Sequence, residues 1–185
     1  MTLPDKLTVS RIFLTFVFMF FLFANGLLAK SLALFVFLLA SFTDFLDGFI
    51  AKENNISTDF GRMMDPIADK ILVLAAFLAF VEMRLVPAWM VVIIILREIT
   101  VTALRVLAFA KGKIIPSDDG GKQKMVSQVV TILAVLVFLI LREVGIKVSD
   151  LLIFVLMSIT VVLTLVSGIS YLVKNREVYS NAKTG

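Results

Sequence analysis

Six apolar stretches, each close to the length of a membrane-spanning helix, dominate the sequence. A helix needs roughly 20 predominantly apolar residues to cross the hydrocarbon core of a bilayer. Hydrophobic residues make up 60% of the 185 and charged residues 17%, a balance typical of an integral membrane protein. The sequence therefore predicts an all-α integral membrane protein with six transmembrane helices, at about residues 12–29, 31–51, 62–83, 87–110, 125–141 and 150–173.

The short connections between these stretches predict one domain over residues 1–185, with an interfacial segment at 1–11 and a cytosolic tail at 174–185. The first apolar stretch is too long for a signal peptide and lacks a small-residue cleavage site, so we expect it to be retained. Cytosolic loops of membrane proteins are enriched in Lys and Arg, which favours a cytosolic N-terminus for this chain. In that orientation Lys30, Arg84, Arg142 and Lys147 lie on the outer side.

The composition limits which metal ions and which catalytic side chains the protein can use. The chain has no cysteine and no histidine, so disulfides, thiolate chemistry and the usual imidazole ligands are excluded. Any bound metal must then be a hard cation that accepts carboxylate oxygens, such as Mg²⁺ or Mn²⁺. The net charge of +4 is spread over short inter-helix segments, and we therefore expect no nucleic-acid partner.

Four aspartates interrupt the second and third apolar stretches at helical spacing. A carboxylate at membrane depth is costly and therefore indicates a function. The aspartates alternate with small residues in one gap-free pattern, Asp44-x2-Asp47-Gly48-x2-Ala51-Lys52-x8-Gly61-x3-Asp65-x3-Asp69.

The spacing i, i+3, i+4, i+7 places the members of each half of this motif on one helix face. A short loop joins the two helices, so we expect the two acidic stripes to face each other across a polar cavity at the cytosolic end. Gly48, Ala51 and Gly61 leave a groove for a bulky ligand. One or two divalent cations would relieve the repulsion among four carboxylates, and a metal pair suits phosphoryl-type transfer.

Two simpler interpretations of the aspartates remain. They could form salt bridges with Lys52, Arg62 and Lys70, or they could line a path for a divalent cation. A small cation transporter is accordingly an alternative to an enzyme, although the chain lacks the internal repeat and the midplane helix breaks of many transporters.

The motif resembles the signature of the CDP-alcohol phosphotransferase family at every defined position except Lys52, where the family usually has arginine. Lysine keeps the charge but loses the bidentate fork. Further segments resemble the bacterial phosphatidylglycerophosphate synthases within that family. These segments are Leu3-Pro4-x2-Leu7-Thr8-x2-Arg11, Asp65-Pro66-x-Ala68-Asp69-Lys70, Arg97-Glu98-x2-Val101-Thr102-Ala103-Leu104-Arg105, Gly121-Lys122-x-Lys124 and Ser167-Gly168-Ile169-x-Tyr171.

The resemblance implies a multi-pass protein of the bacterial inner membrane, usually a homodimer, that uses two Mg²⁺ or Mn²⁺ ions. It implies transfer of the phosphatidyl group from CDP-diacylglycerol to glycerol-3-phosphate with release of CMP, at a site facing the cytoplasm. Other acceptors within the same reaction class are serine, inositol phosphate and phosphatidylglycerol. The implied roles are metal binding by Asp44, Asp47, Asp65 and Asp69, proton abstraction by Asp69, and contacts to the cytidine diphosphate by Gly48, Ala51, Lys52 and Gly61.

Two arginines in the fourth helix suggest a pocket for the acceptor. Arg97 and Arg105 are eight residues apart, which places them on one face about 12 Å apart along the helix axis. Arginine inside a membrane span needs an anionic partner, and a phosphate suits its planar donors. Lys122 and Lys124 could complete the phosphate site. Alternatively, Arg97 pairs with Glu98 or an acidic-stripe residue, and Arg105 and the lysines reach lipid headgroups.

Overall fold

The computed structural model describes residues 3–54, 59–110 and 119–177, and within them the side chains of residues 9–42, 70–109 and 120–177. This part of the chain is all-helical and contains six helices, which confirms the predicted all-α fold and the number of helices; that all six cross a membrane stays a prediction. The helices are α1 (Leu3–Phe23), α2 (Leu27–Asn54), α3 (Asp59–Glu82), α4 (Ala88–Ala110), α5 (Asp119–Glu143) and α6 (Asp150–Lys174).

Helices α3 and α5 pack against each other and against helices from both halves of the chain. Helix α1 packs on α2 and α3, whereas α5 packs on α2, α3 and α6. Helix α4 packs on α3 and α6. Described connections of a few residues join α3 to α4 and α5 to α6, so the start of α3 lies at the same end as the end of α4, and the start of α5 lies at the same end as the end of α6.

The core away from that end consists of aliphatic and aromatic side chains. Phe18 of α1 and Phe37 of α2 are fully buried, with ring centroids 5.6 Å apart. Phe77 and Phe80 of α3 form a second buried aromatic pair, 6.4 Å apart. Burial of such large rings against neighbouring helices contributes the packing that holds the bundle together.

Much of the outer surface is apolar as well. Phe16 and Phe20 on α1 are each 71% exposed, and Leu28, Phe109 and Leu151 are exposed on other helices. Large contiguous apolar surface on a folded chain indicates contact with a membrane or another protein. Two helical segments of the described residues are long and apolar enough to cross a membrane, Gly120–Glu143 and Asp150–Lys174.

Two predicted boundaries were wrong. The first apolar stretch was expected to continue to residue 29, but α1 ends at Phe23 and α2 begins at Leu27. Gly26 lies between them with φ +97°, a conformation that favours glycine and ends the helical run. Lys30 therefore lies in the first turn of α2, and its buried Nζ donates a 2.7 Å hydrogen bond to the carbonyl of Leu22.

The starts of α1 and α5 also differ from expectation. Helix α1 begins at Leu3 rather than near residue 12, and the interfacial position of residues 1–11 stays a prediction. Helix α5 begins at Asp119 rather than near residue 125, and the Gly120-Gly121 pair, expected in a loop, lies in its first turn. The proposed single domain and tail remain predictions.

Helices α3 and α5 end in the same hydrogen-bonded turn. Leu85 N donates to Phe80 O and Arg84 N to Val81 O after α3. Ile146 N donates to Leu141 O and Gly145 N to Arg142 O after α5. This pair of bonds satisfies the last carbonyls of a helix and requires a left-handed residue, which is Arg84 (φ 58°) in one turn and Gly145 (φ 86°) in the other.

Replacement of Gly145 tests this turn. Gly145→Ala should lower the free energy of unfolding by about 1 kcal/mol, because alanine is strained at positive φ. Thermal unfolding of the purified protein in detergent measures the change. Gly121→Ala is the matched control, because Gly121 is helical and a Cβ there would meet open space. Equal melting temperatures for Gly145→Ala and the wild type would contradict the assignment of the turn.

Candidate functional site

A buried carboxylate lies at the end of the bundle where α3 and α5 begin. Glu98 of α4 is 4% exposed and contacts cationic side chains from α3, α4 and α5. Its Oε1 accepts hydrogen bonds from Lys124 Nζ and, at 3.2 Å, from Arg97 Nη1. Its Oε2 lies 3.4 Å from Lys70 Nζ. Because a buried charge is costly unless it is paired, these contacts explain how Glu98 is accommodated as a carboxylate.

Lys70 is also tied to the backbone of α4. Its Nζ lies 3.4 Å from the carbonyl oxygen of Glu98 and donates to the hydroxyl of Thr102. The same hydroxyl donates to the Glu98 carbonyl at 2.7 Å, four residues earlier on the helix. Lys70 thus joins α3 to α4 directly beside the carboxylate.

Arg97 has a second support on α6. Its Nη2 donates a 2.9 Å hydrogen bond to the hydroxyl of Ser167. The adjacent Gly168 lies against the aliphatic part of Arg97, and a Cβ at this position would come within 2.9 Å of Arg97 Cγ. Because residue 168 is glycine, the backbone of α6 can pack directly against the side chain of Arg97.

Arg105 lies two turns further along α4 and contacts the next turn of α6. Its Nε donates a 3.2 Å hydrogen bond to the hydroxyl of Tyr171, and its guanidinium carbon lies 5.5 Å from the centre of the Tyr171 ring. Tyr171 is buried, and it follows Ser167 by four residues. One face of α6 therefore positions both arginines, because residues four apart lie on the same face of a helix.

These side chains surround a cavity of about 240 Å³. A single water needs about 10–15 Å³ by the same measure, so the cavity has room for a small ligand. Five cationic side chains and one carboxylate among the described lining residues give a formal charge of +4 (5 − 1). The charged and polar lining residues are Lys70, Arg97, Glu98, Arg105, Lys122, Lys124 and Gln128.

The cavity brings together every residue that the sequence suggested for the acceptor phosphate. Arg97 and Arg105 reach it from α4, and Lys122 and Lys124 reach it from the first turns of α5. The alternative pairing of Arg97 with Glu98 is present too, so Arg97 both holds the carboxylate and lines the cavity. An anion-binding role for these four residues stays a prediction that the geometry supports.

The acidic motif lies outside the described side chains. Helices α2 and α3 run through its positions, but the contacts of its side chains are not among those described; these residues are Asp44, Asp47, Gly48, Ala51, Lys52, Gly61, Asp65 and Asp69. Within the described residues no cluster of carboxylates could hold a metal ion. Lys70 directly follows Asp69 on α3, so the basic cavity adjoins the end of the acidic motif along the chain.

Sequence reasoning missed three features of this cavity. Lys70 was considered only as a partner of the aspartates, whereas its described partner is Glu98. Ser167 was noted in a matching segment without a role, and the contact of Tyr171 with Arg105 was not foreseen. Gln128 was not noted, although a polar amide one turn after Lys124 in an apolar helix was a usable signal.

Comparison with known proteins identifies the family of this chain. The sequence model of the family described as CDP-alcohol phosphatidyltransferase matches residues 1–178. This chain belongs to that family.

Curated relatives cover most of this chain. It is 37% identical to a CDP-diacylglycerol--glycerol-3-phosphate 3-phosphatidyltransferase of Bacillus subtilis (strain 168), over 95% of each chain. It is 36% identical to a protein of the same name from Rickettsia bellii (strain RML369-C), over 91% of this chain and 92% of the relative. A probable phosphatidylglycerophosphate synthase of Mycobacterium tuberculosis (strain CDC 1551 / Oshkosh) is 33% identical over 93% of this chain and 80% of the relative.

The carboxylate of Glu98 should be essential for stability. Glu98→Gln removes the negative charge that pairs with three cations and should lower the free energy of unfolding by about 3 kcal/mol. Thermal unfolding in detergent, followed by circular dichroism, measures the loss. Glu177→Gln, at an exposed carboxylate beyond α6, is the control and should leave stability unchanged. An unaltered melting temperature for Glu98→Gln would show that Glu98 does not hold the cluster.

Proposed function

We propose that this protein transfers the phosphatidyl group of CDP-diacylglycerol to glycerol-3-phosphate and releases CMP, a step of phospholipid biosynthesis. As a member of its family it is an enzyme of the CDP-alcohol phosphatidyltransferase type. The observation that carries the choice of acceptor is the basic cavity beside Asp69. The names of the relatives support the same acceptor.

The charge of the cavity favours an acceptor that bears a phosphate. Glu98 balances part of the cationic charge, and a phosphate dianion would balance more of it. Arginine binds phosphate through parallel donors, and Arg97 and Arg105 are both held in place by α6. Serine is a zwitterion without net charge and would leave the net positive charge of the cavity unbalanced, and a divalent cation would be repelled. The cavity therefore argues against both a serine acceptor and a cation transporter.

The acidic motif fits a site for Mg²⁺ or Mn²⁺. The family is generally dependent on divalent metals. The donor set offers carboxylates from Asp44, Asp47, Asp65 and Asp69 in a chain without histidine or cysteine, which suits a hard cation. When bound, two such ions would stabilise the charge on the transferred phosphoryl group.

The reaction itself is a displacement at phosphorus. Asp69 takes the proton of the primary hydroxyl of glycerol-3-phosphate, and the hydroxyl oxygen forms a bond to the phosphorus that carries the diacylglycerol. The bond from that phosphorus to the bridging oxygen breaks, and CMP leaves with the electron pair. Gly48, Ala51, Lys52 and Gly61 contact the cytidine diphosphate, while Arg97, Arg105, Lys122 and Lys124 hold the phosphate of the acceptor.

The proposed setting is the bacterial inner membrane, with six spans, a homodimer and the site facing the cytoplasm. The apolar exterior and the two long apolar helices support a membrane protein. The Lys and Arg residues of the loops support the orientation. A substrate with two acyl chains would then reach the site from the bilayer, and the soluble acceptor would reach it from the cytosol.

The acceptor can be identified directly. Purified protein in detergent, supplied with CDP-diacylglycerol and Mg²⁺ or Mn²⁺, should release CMP when glycerol-3-phosphate is added but not when serine or inositol is added. Chelation of the metal should stop the release. Quantification of CMP by chromatography measures both effects. CMP release that is independent of glycerol-3-phosphate would reject the proposed acceptor.

The role of Asp69 can be separated from binding. Asp69→Asn should lower kcat by about 100-fold or more, because general-base catalysis contributes that much, while CDP-diacylglycerol still binds. Single-turnover CMP release measures the chemical step, and nucleotide binding is measured separately. Asp150→Asn, at an exposed carboxylate at the opposite end of the bundle, is the control and should retain the wild-type rate. A nearly normal rate for Asp69→Asn would exclude Asp69 as the base.

A further inference from the structure

Gln128 is a buried amide in the wall of the basic cavity. It lies on α5 one turn after Lys124, and it is 3% exposed. Residues four apart on a helix share a face, separated by about 6 Å along the axis. Gln128 therefore lines the same cavity as Lys124, at a level deeper into the bundle.

The hydroxyl groups next to Gln128 have partners. Ser127 donates to the carbonyl of Lys124 at 2.7 Å, and the hydroxyls of Thr131 and Thr160 lie 2.8 Å apart. Thr160 also lies 3.3 Å from the carbonyl of Ser127. These bonds join α5 to α6 and give the hydroxyl groups of Ser127, Thr131 and Thr160 hydrogen-bond partners.

Within the described part of the chain, the side-chain nitrogen of Gln128 has no such partner, and the same is true of Arg97 Nε in this cavity and of Thr164 Oγ1 on α6. Among the residues that the structure describes, Nε2 of Gln128 is buried and has no hydrogen-bond partner. A buried amide without a partner costs free energy, so its presence beside a cavity needs a reason. A hydrophobic residue of similar size would pack against the cavity wall without that cost.

We infer that Gln128 is a specificity-determining residue that hydrogen-bonds to the secondary hydroxyl of the acceptor; this rests on the proposed function. The cations can bind any phosphate monoester of suitable size, because they contact the charge and not the carbon chain. A carboxamide can donate and accept hydrogen bonds, which suits a hydroxyl. With the phosphate beside Lys124, the carbon chain extends towards Gln128, one turn deeper, where its middle carbon carries the hydroxyl.

A comparison of two acceptor substrates distinguishes this role of Gln128 from a role in stabilising the fold. Glycerol-3-phosphate carries the secondary hydroxyl, whereas 3-hydroxypropyl phosphate keeps the phosphate and the primary hydroxyl and lacks the secondary one. The wild-type enzyme should prefer glycerol-3-phosphate by at least tenfold in kcat/KM, since a site that hydrogen-bonds a hydroxyl discriminates against analogues without it.

Gln128→Met keeps the length of the side chain and removes its hydrogen bonds. It should lower kcat/KM for glycerol-3-phosphate by about tenfold and leave kcat/KM for 3-hydroxypropyl phosphate within about twofold, so that the preference is lost. Gln123→Met is the matched control, because Gln123 lies on the same helix and is exposed. This variant should keep the wild-type preference.

The preference is a ratio of two constants measured on one preparation, so it does not depend on the fraction of protein that is folded. Gln128→Asn, which withdraws the amide by one methylene, provides a second variant and should also reduce the preference. Equal losses on both acceptors, or a wild-type enzyme that does not distinguish them, would overturn the role of Gln128 and leave the proposed function intact. A wild-type protein that uses neither acceptor would instead overturn the proposed function and the inference together.

Discussion

The carboxylate of Glu98 is the interaction on which the polar end of this bundle depends. A charged side chain that is 4% exposed is tolerated only with partners, and Glu98 has them on three helices. The same contacts give Lys70, Arg97 and Lys124 a reason to converge despite their mutual repulsion. Glu98 therefore fixes α3, α4 and α5 relative to one another at the place where the cavity opens. Three fixed helices preorganise a binding site better than a mobile loop would.

Helix α6 stabilises the same site from the other side. Ser167 and Tyr171 each hold one arginine, and Gly168 allows the helix to approach closely. The apolar packing of Phe18, Phe37 and their neighbours lies away from this cluster. Stability and the candidate site therefore come from different parts of the bundle. The aromatic and aliphatic core provides stability. At the polar end, neutral groups of α6 and one anion of α4 hold the side chains of the site.

Much of this could be predicted from the sequence because it follows from periodicity and composition. The number of helices follows from the apolar stretches, and the convergence of Arg97 and Arg105 follows from their spacing on one helix face. The boundary at Gly26 was missed because the apolar pattern continues across the turn, and one glycine with positive φ decides where the helices end. The burial of Lys30 follows from that boundary.

Contacts between helices could not be predicted in the same way. Lys70 has carboxylates nearby in the sequence, and its pairing with Glu98, 28 residues away, depends on how α3 crosses α4. Helical spacing fixes the face of one helix but not the angle between two. Gln128 is a similar case, since burial and an unpartnered nitrogen are properties of the assembled cavity.

The junction between Asp69 and Lys70 relates the proposed binding of the acceptor to its proposed activation. These adjacent residues on α3 lie where an acidic motif ends and a basic cavity begins. The net positive lining of the basic cavity attracts a phosphate, so electrostatics favour an orientation of the acceptor with its phosphate at the basic side. In the proposed reaction, the free primary hydroxyl of the acceptor is then the part directed towards Asp69. An acceptor without the phosphate would lack this orientation, and an acceptor without a hydroxyl at the other end could bind but could not react.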